Sequence, residues 1–372
     1  MGVVKVGFKL ILANVLLMLY IAYGPGLLDF QPLKYFVELP SKFEDALIPN
    51  DHLNQAEILF QGKIAGPESL AVYEGDIYTG TNDGSIVKIS KDKLTVVTKT
   101  GSDCELQTKS STCGRPLGLR FDKKGNLYVA DAYCGILMVN LRSGSVETLL
   151  PLSTEVEGKA IMLPNDLDID EEQGIIYFTD TSTKWPFNRI FYVAFEYSSS
   201  GRVLSFNLHT KAIKVVADGL YFPNGVQLSH DKSELLIAEW SNRRILKIAL
   251  KGSNAGQTTT FADRFPGEPD NIRPSSTGGY WVALTAGRNS SSLALCDYLA
   301  EYPLAEHFTL IFQLLPKYGM IMELNSDGEI LRSMHSPDGS ISYLSEVLEF
   351  QDNLYVGSFI NSFLVKMAAL SS

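Results

Sequence analysis

The sequence predicts an all-β fold, a six-bladed β-propeller with an N-terminal transmembrane helix, on three observations. A short β-rich run recurs six times, the strand ahead of it opens on proline in five of those units, and an apolar run stands ahead of residue 30 with two lysines on its N-terminal side. The bulk numbers allow this. The 372 residues are 45% hydrophobic and 20% charged, an ordinary globular balance, and large all-β assemblies reach such lengths as one unit. A formal net charge of −10, with no basic run to offset it, argues against nucleic acid as a partner.

Taken in order, residues 1–9 are a cytosolic N-terminus, 10–28 a transmembrane signal-anchor and 29–59 a linker. Residues 60–370 are the propeller, with a helical insertion near 287–318. The apolar stretch 10–28 is 19 residues long, enough to cross a bilayer as a helix. A cleaved signal peptide is the alternative, with small residues at Ala22 and Gly24. Pro25 would then follow the scissile bond, where proline is poorly tolerated, so the anchor is favoured. Lys5 and Lys9 put their side in the cytosol. The topology is single-pass type II, with the propeller in the lumen or outside, at the endoplasmic reticulum or plasma membrane.

Cys104 and Cys113 bracket a polar surface loop, and a disulfide between them suits an oxidising compartment. Cys134 and Cys296 have no assigned partner, and no C-x-x-C pair marks a zinc site. Asn289-Ser290-Ser291 is a glycosylation sequon, meaningful once the topology places it outside.

The six β-rich runs begin at Ile77, Leu127, Ile176, Leu235, Tyr280 and Leu354, spaced by 50, 49, 59, 45 and 74 residues. Periods near this length, with several short strands per unit, belong to propellers, and the long last gap holds the insertion. Within a unit the order is strand, turn, strand, turn, strand, with a further strand upstream, as around Leu127-Tyr128-Val129-Ala130-Asp131. The insertion carries Leu304, Phe308, Ile311, Phe312 and Leu315 at helical spacing behind Pro303. That helix packs against the rim, or serves as a lid or membrane contact.

The upstream strand opens with Gly66-Pro67-Glu68, Arg115-Pro116-Leu117-Gly118, Leu163-Pro164-Asn165-Asp166, Phe222-Pro223-Asn224-Gly225 and Glu268-Pro269-Asp270-Asn271. In a propeller the innermost strands all run one way along the channel, so residues at one register form a ring. Glu68, Asn165, Asn224 and Asp270 should therefore converge. Singly, Pro-Asn and Pro-Asp are only turn signals; their shared register makes the set a site. Oxygen donors without His or Cys suit a hard cation, two carboxylates balance a 2+ charge, and the donor mix favours calcium over magnesium.

These motifs resemble the strictosidine synthase-like, gluconolactonase and paraoxonase superfamily of calcium-bearing propellers over roughly residues 60–370, and within it a membrane-anchored branch. The likeness rests on Cys113-Gly114-Arg115-Pro116-Leu117-Gly118, Phe178-Thr179-Asp180, Phe222-Pro223-Asn224-Gly225-Val226-Gln227-Leu228 and Pro269-Asp270-Asn271-Ile272-Arg273-Pro274. It implies a central calcium on Glu68, Asn165, Asn224 and Asp270, joined by Asn271 as in the paraoxonase branch. Two departures stand out. The paraoxonase Pro-His-Gly turn reads Pro116-Leu117-Gly118, and the late glutamate of the alkaloid synthase has only Glu346 as a counterpart.

The expected activity is calcium-dependent hydrolysis of a small-molecule ester or lactone, arylesterase-like, with Asp270 as general base or nucleophile. None of His52, His209, His230, His307 and His335 falls at channel register, so each reads as a surface residue. Trp185, Phe187 and Trp240 follow strand ends and read as structural, or as the wall of an apolar pocket. The rival readings are a calcium-stabilised receptor or adhesion module without activity and a strictosidine synthase-type condensation. An open apolar pocket over the ion would favour an enzyme, a plugged channel mouth a structural role.

Overall fold

Each β-rich run is the second strand of a four-stranded antiparallel sheet, and six such sheets are arranged as the blades of a propeller. The computed structural model describes residues 43–91, 93–101, 113–288 and 317–369, together with Val15 and Tyr35. The predicted anchor (apart from Val15), Cys104, Cys296, Asn289, His307 and the helix over 304–315 lie outside the described residues. Among the described residues no helix is long and apolar enough to cross a membrane.

The innermost strands are Leu70–Tyr73, Pro116–Phe121, Pro164–Asp170, Pro223–Leu228, Gly267–Pro274 and Leu344–Phe350. Each touches the next around the axis, and the last touches the first, so the ring is closed. Closure is by an exchanged strand. Glu57–Leu59, within the stretch expected as linker, is the outer strand of blade 6, pairing Ile58 with Val365 and Leu59 with Leu364. This covers an edge that would otherwise offer unpaired backbone groups.

Because blades stack face to face, a second strand is buried on both sides, and its sequence is continuously apolar rather than alternating. Val282 and Leu284 pack towards blade 4, whereas Trp281 and Ala283 pack towards blade 6. Among the described residues six apolar clusters each join two neighbouring blades, and a seventh, with Leu117, Leu163, Phe195, Phe222 and Trp240, lies above the channel.

Two devices bring the innermost strands together at the axis. Glycine follows the proline pair where a side chain has no room: a Cβ on Gly118 would meet Asp166 Cα at 2.6 Å, and one on Gly225 would meet Asn271 Cα at 2.7 Å. The second device is a break in register at the strand opening, between Pro164 and Leu167, Pro223 and Val226, and Pro269 and Ile272. Bulges of this kind re-aim side chains and gather beside functional sites. Here they fall on Asn165, Asn224 and Asp270.

Candidate functional site

The recurring acidic residue that ends a second strand has a structural task. Asp131 Oδ1 accepts the backbone N–H of Arg115, Tyr133 and Cys134 at 2.9–3.0 Å, and Asp180 Oδ1 accepts those of Met162 and Leu163. Glu239 Oε1 does the same for Tyr221. Each carboxylate therefore fixes the loop that enters an innermost strand, and so aims the residue after the proline.

Glu68, Asn165, Asn224 and Asp270, from blades 1, 3, 4 and 5, line one pocket at the channel mouth. All four are at least 95% buried. Glu68 is held at both ends: Arg115 Nη2 donates to its Oε2 at 2.9 Å, and Ser345 Oγ donates to its carbonyl at 2.8 Å. Thr179 Oγ1 donates to the Asn224 carbonyl at 2.6 Å. Asp270 Oδ2 accepts from Thr285 Oγ1 at 2.8 Å, and Trp240 Nε1 donates to that same hydroxyl at 3.2 Å. What is left over is informative. Asn165 Oδ1, Asn224 Oδ1 and Asp270 Oδ1 are buried and have no hydrogen-bond partner. Orphaned acceptors are costly unless something meets them, and three oxygens converging on one pocket fit a hard cation.

The electrostatics agree. Burial pushes the Glu68 carboxyl up to about 7 against the lowering pull of Arg115. Burial, then the charge of Glu68, raises Asp270 well above the usual carboxylate range. Two buried carboxyls, one of them raised further by the charge of the other, are relieved by a cation bound beside them. Among the described residues no group of three or more His, Cys, Asp or Glu is gathered as a metal cluster; this set has two carboxylates and two amides.

Asn271 is not among the residues lining the pocket. Its Nδ2 donates to Glu346 Oε2 at 3.2 Å, in the channel floor. Glu346 itself is fully buried and ion-paired with Arg273 rather than facing the pocket. The floor is a charged plug: Arg273 forks onto both oxygens of Asp166 at 2.9 and 3.2 Å, and Asp168 accepts from Gln227 Nε2 and the Leu228 N–H, each at 2.8 Å.

The wall above is apolar, with Leu117, Phe222, Trp240, Tyr318, Tyr343 and Phe359 around about 200 Å3. Phe187 and Trp240 are pocket residues; Trp185 is not among the lining residues and donates instead to Glu196 Oε2 at 2.7 Å. Much of the wall comes from a short helix, Ile190–Glu196, preceded by the turn Phe187–Arg189, which the repeat pattern does not reveal. Phe222 holds φ +54°, a left-handed conformation rare for an aromatic residue, and stacks on Trp240 with ring centroids 4.8 Å apart. One histidine departs from expectation. His335 is fully buried on the outermost strand of blade 5, bonded to Tyr318 and Ser333, because both ring nitrogens find hydroxyl partners there.

Cys113 is disulfide-bonded and Cys134 is a free thiol. Burial, then Asp131, pushes the Cys134 thiol up to about 12, so it is inert at neutral pH.

Comparison with known proteins agrees with this architecture. The strictosidine synthase family matches residues 165–253, and the strictosidine synthase-like N-terminal family matches residues 45–89. An adipocyte plasma membrane-associated protein of Danio rerio is 39% identical over 348 residues, covering 91% of this chain and 83% of its own length. The Homo sapiens protein of that name is 38% identical over 350 residues, covering 92% and 84%. Among solved structures, a gluconolactonase from Xanthomonas campestris superposes with a TM-score of 0.58 at 16% identity, over 91% of this chain and 95% of that one. The calcium-binding protein regucalcin from Agrobacterium tumefaciens gives 0.56 at 10% identity, over 83% and 92%. At such identities the structural likeness carries the fold alone. The identity across nine-tenths of the chain carries more: this propeller belongs to the adipocyte plasma membrane-associated protein family, among the strictosidine synthase-like proteins.

Proposed function

We propose that the chain is a membrane-anchored, calcium-dependent hydrolase of aryl or alkyl esters or lactones. The observation that carries this reading is the set of three orphaned oxygens, on Asn165, Asn224 and Asp270, at the inner end of an apolar-walled pocket. A calcium-binding neighbour on the same fold lends it support. Glu68, Asn165, Asn224 and Asp270 would hold the ion, while Asn271 stays with the floor. When bound, calcium supplies a positive charge that polarises an ester carbonyl and stabilises the developing oxyanion.

The chain's own residues supply the rest. Thr285 fixes Asp270 Oδ2, so the unpartnered Oδ1 would have to serve both the ion and the proton through its two lone pairs. Asp270 serves as general base, taking a proton from water as the hydroxide adds to the carbonyl carbon; as nucleophile it would instead displace the alcohol to form a mixed anhydride that one water hydrolyses. The acyl–oxygen bond then breaks and the alcohol leaves with a proton, one water being consumed per ester. The aromatic wall seats the apolar part of the substrate and excludes other water. With no histidine among the described residues that line the pocket, small activated esters are the expected substrates, at modest rates. The open apolar pocket weighs against a purely structural ion, and the buried ion pair of Glu346 against a condensation relying on that carboxylate.

The anchor over residues 10–28, a lumenal or extracellular propeller, a glycan on Asn289 and a Cys104–Cys113 disulfide belong to the same reading. The names of the relatives, plasma membrane-associated, support the anchor. Retention in alkaline carbonate is the expected result; full release with an N-terminus at Pro25 would show a cleaved signal.

The deciding experiment compares the full chain with Asp270→Asn at saturating calcium. The variant keeps an oxygen donor of the same shape but loses the base. Hydrolysis of phenyl acetate should fall by roughly 10²- to 10⁴-fold while calcium still binds. A metal-loaded variant as fast as the parent refutes the assignment of Asp270. A parent without calcium-dependent hydrolysis of any small ester or lactone hands the protein to the binding-module reading.

A further inference from the structure

The pocket mouth carries an exposed rim that extends beyond the wall seating the substrate. Phe191 is 64% exposed on the helix Ile190–Glu196, and Ile360 is 56% exposed next to the pocket residue Phe359. The same segments carry cations set over aromatic rings. The exposed Arg189 guanidinium lies 5.5 Å from the Trp185 ring and 5.1 Å from Tyr192, and the exposed Lys317 ammonium lies 5.3 Å from Tyr343. The nearby Glu196 carboxylate is answered by Lys184 and Trp185. Exposed Phe and Ile beside half-buried Trp and Tyr, flanked by Arg and Lys, is the composition of a surface that lies in a lipid headgroup layer. It is out of character for a chain of net charge −10.

The chain's own path points the same way. Tyr35 stacks on Tyr197, ring centroids 3.8 Å apart and planes 4° apart, and Tyr197 directly follows the pocket helix. Tyr35 lies seven residues beyond the apolar stretch 10–28, and seven residues span at most about 25 Å. If that stretch is the anchor, as proposed above, the pocket face is the one tethered beside the bilayer.

We infer that the rim around Phe191 and Ile360 docks on the lipid surface, so that the pocket opens towards the membrane and takes apolar esters partitioned into it. The inference rests on the anchor and hydrolase reading for its substrate, but the docking can be read independently of activity.

The test uses the full chain in vesicles of phosphatidylcholine and phosphatidylserine with brominated acyl chains. Ile360→Trp should add fluorescence that the bromines quench, whereas Val96→Trp, 60% exposed on the outer strand Lys93–Lys99, should add fluorescence they leave unchanged. Equal quenching of both, or none at Ile360→Trp, overturns the docking. So does an Ile360→Trp signal shielded from aqueous acrylamide equally in detergent and in vesicles, which would mean that a second protein surface covers the rim. Arg189→Glu combined with Ile360→Asp should cut hydrolysis of a long-chain ester carried in the vesicles by about tenfold or more, leaving phenyl acetate turnover unchanged. Equal loss on both substrates, or on neither, overturns the membrane route. If the parent hydrolyses neither ester, the hydrolase reading falls and quenching alone decides the docking.

Discussion

His335 shows how a single residue escapes a sequence reading and what its burial costs. Ser333 Oγ donates to the Ala46 carbonyl at 2.6 Å, so it accepts from His335 Nε2–H, and His335 Nδ1 in turn accepts from the Tyr318 hydroxyl at 2.6 Å. The ring is held neutral. Burial, followed by His52, lowers its pKa from 6.5 to about 4. In the unfolded chain this histidine takes up a proton below about pH 6.5; in the fold it resists until about 4. Its contribution is therefore complete above pH 6.5 and is lost as pH falls towards 4, on the order of 3 kcal/mol in all. Urea unfolding between about pH 7.5 and 4.5 should show a stability decline in the parent that is shallower in His335→Gln. Identical pH dependence in the two proteins would mean that the histidine charges in the folded state.

At the scale of the strand and blade, what could be read in the sequence was what repeats. The proline-led openings share a register, so Glu68, Asn165, Asn224 and Asp270 stood out, and all four line the pocket. Leu117 shares the register too, and as an apolar residue it is part of the wall. Blade 6 opens on Leu344-Ser345-Glu346 without proline, so its part was hidden: Ser345 holds Glu68, and Glu346 serves the floor. The helix Ile190–Glu196 was hidden because seven residues inside a loop are too few to show a period. The floor was hidden because its partners are remote; Arg273 and Asp166 are 107 residues apart. Arg273 is the clasp of that floor, gripping Asp166, Glu346 and Ser69 from blades 3, 6 and 1. Arg273→Met keeps most of the volume but leaves two buried carboxylates with Arg120, 3.8 Å from Asp166, as their remaining counter-charge among the described residues, and should cost about 3 kcal/mol in chemical denaturation. Adding Asp166→Asn and Glu346→Gln should recover part of the loss. A single variant as stable as the parent would show that the network does not hold the blades.

For the whole molecule, the question is what keeps six similar blades in one closed ring. The interblade clusters supply the bulk of the adhesion, and Glu57–Leu59 closes the circle at the outer edge of blade 6. At the axis the closure is polar: the floor network on one level, and above it the ring of Glu68, Asn165, Asn224 and Asp270. That upper ring is unfinished without a cation, because two raised carboxyls and three unpartnered oxygens meet there. Calcium, bound by the folded chain and not by the unfolded one, should stabilise it by about 2.7 kcal/mol at a hundredfold excess over its dissociation constant. In a molecule of this size that is a rise of several degrees in Tm, measurable by calorimetry as calcium is titrated into chelator-treated protein. Magnesium at equal concentration should do less, since donors fixed on four separate blades cannot contract into a small octahedron. Asp270→Asn should move the calcium dependence to higher concentration and keep its sign. If Tm is the same in chelator and in excess calcium, the four residues are not a calcium site, and their orphaned oxygens must be met by water within the pocket.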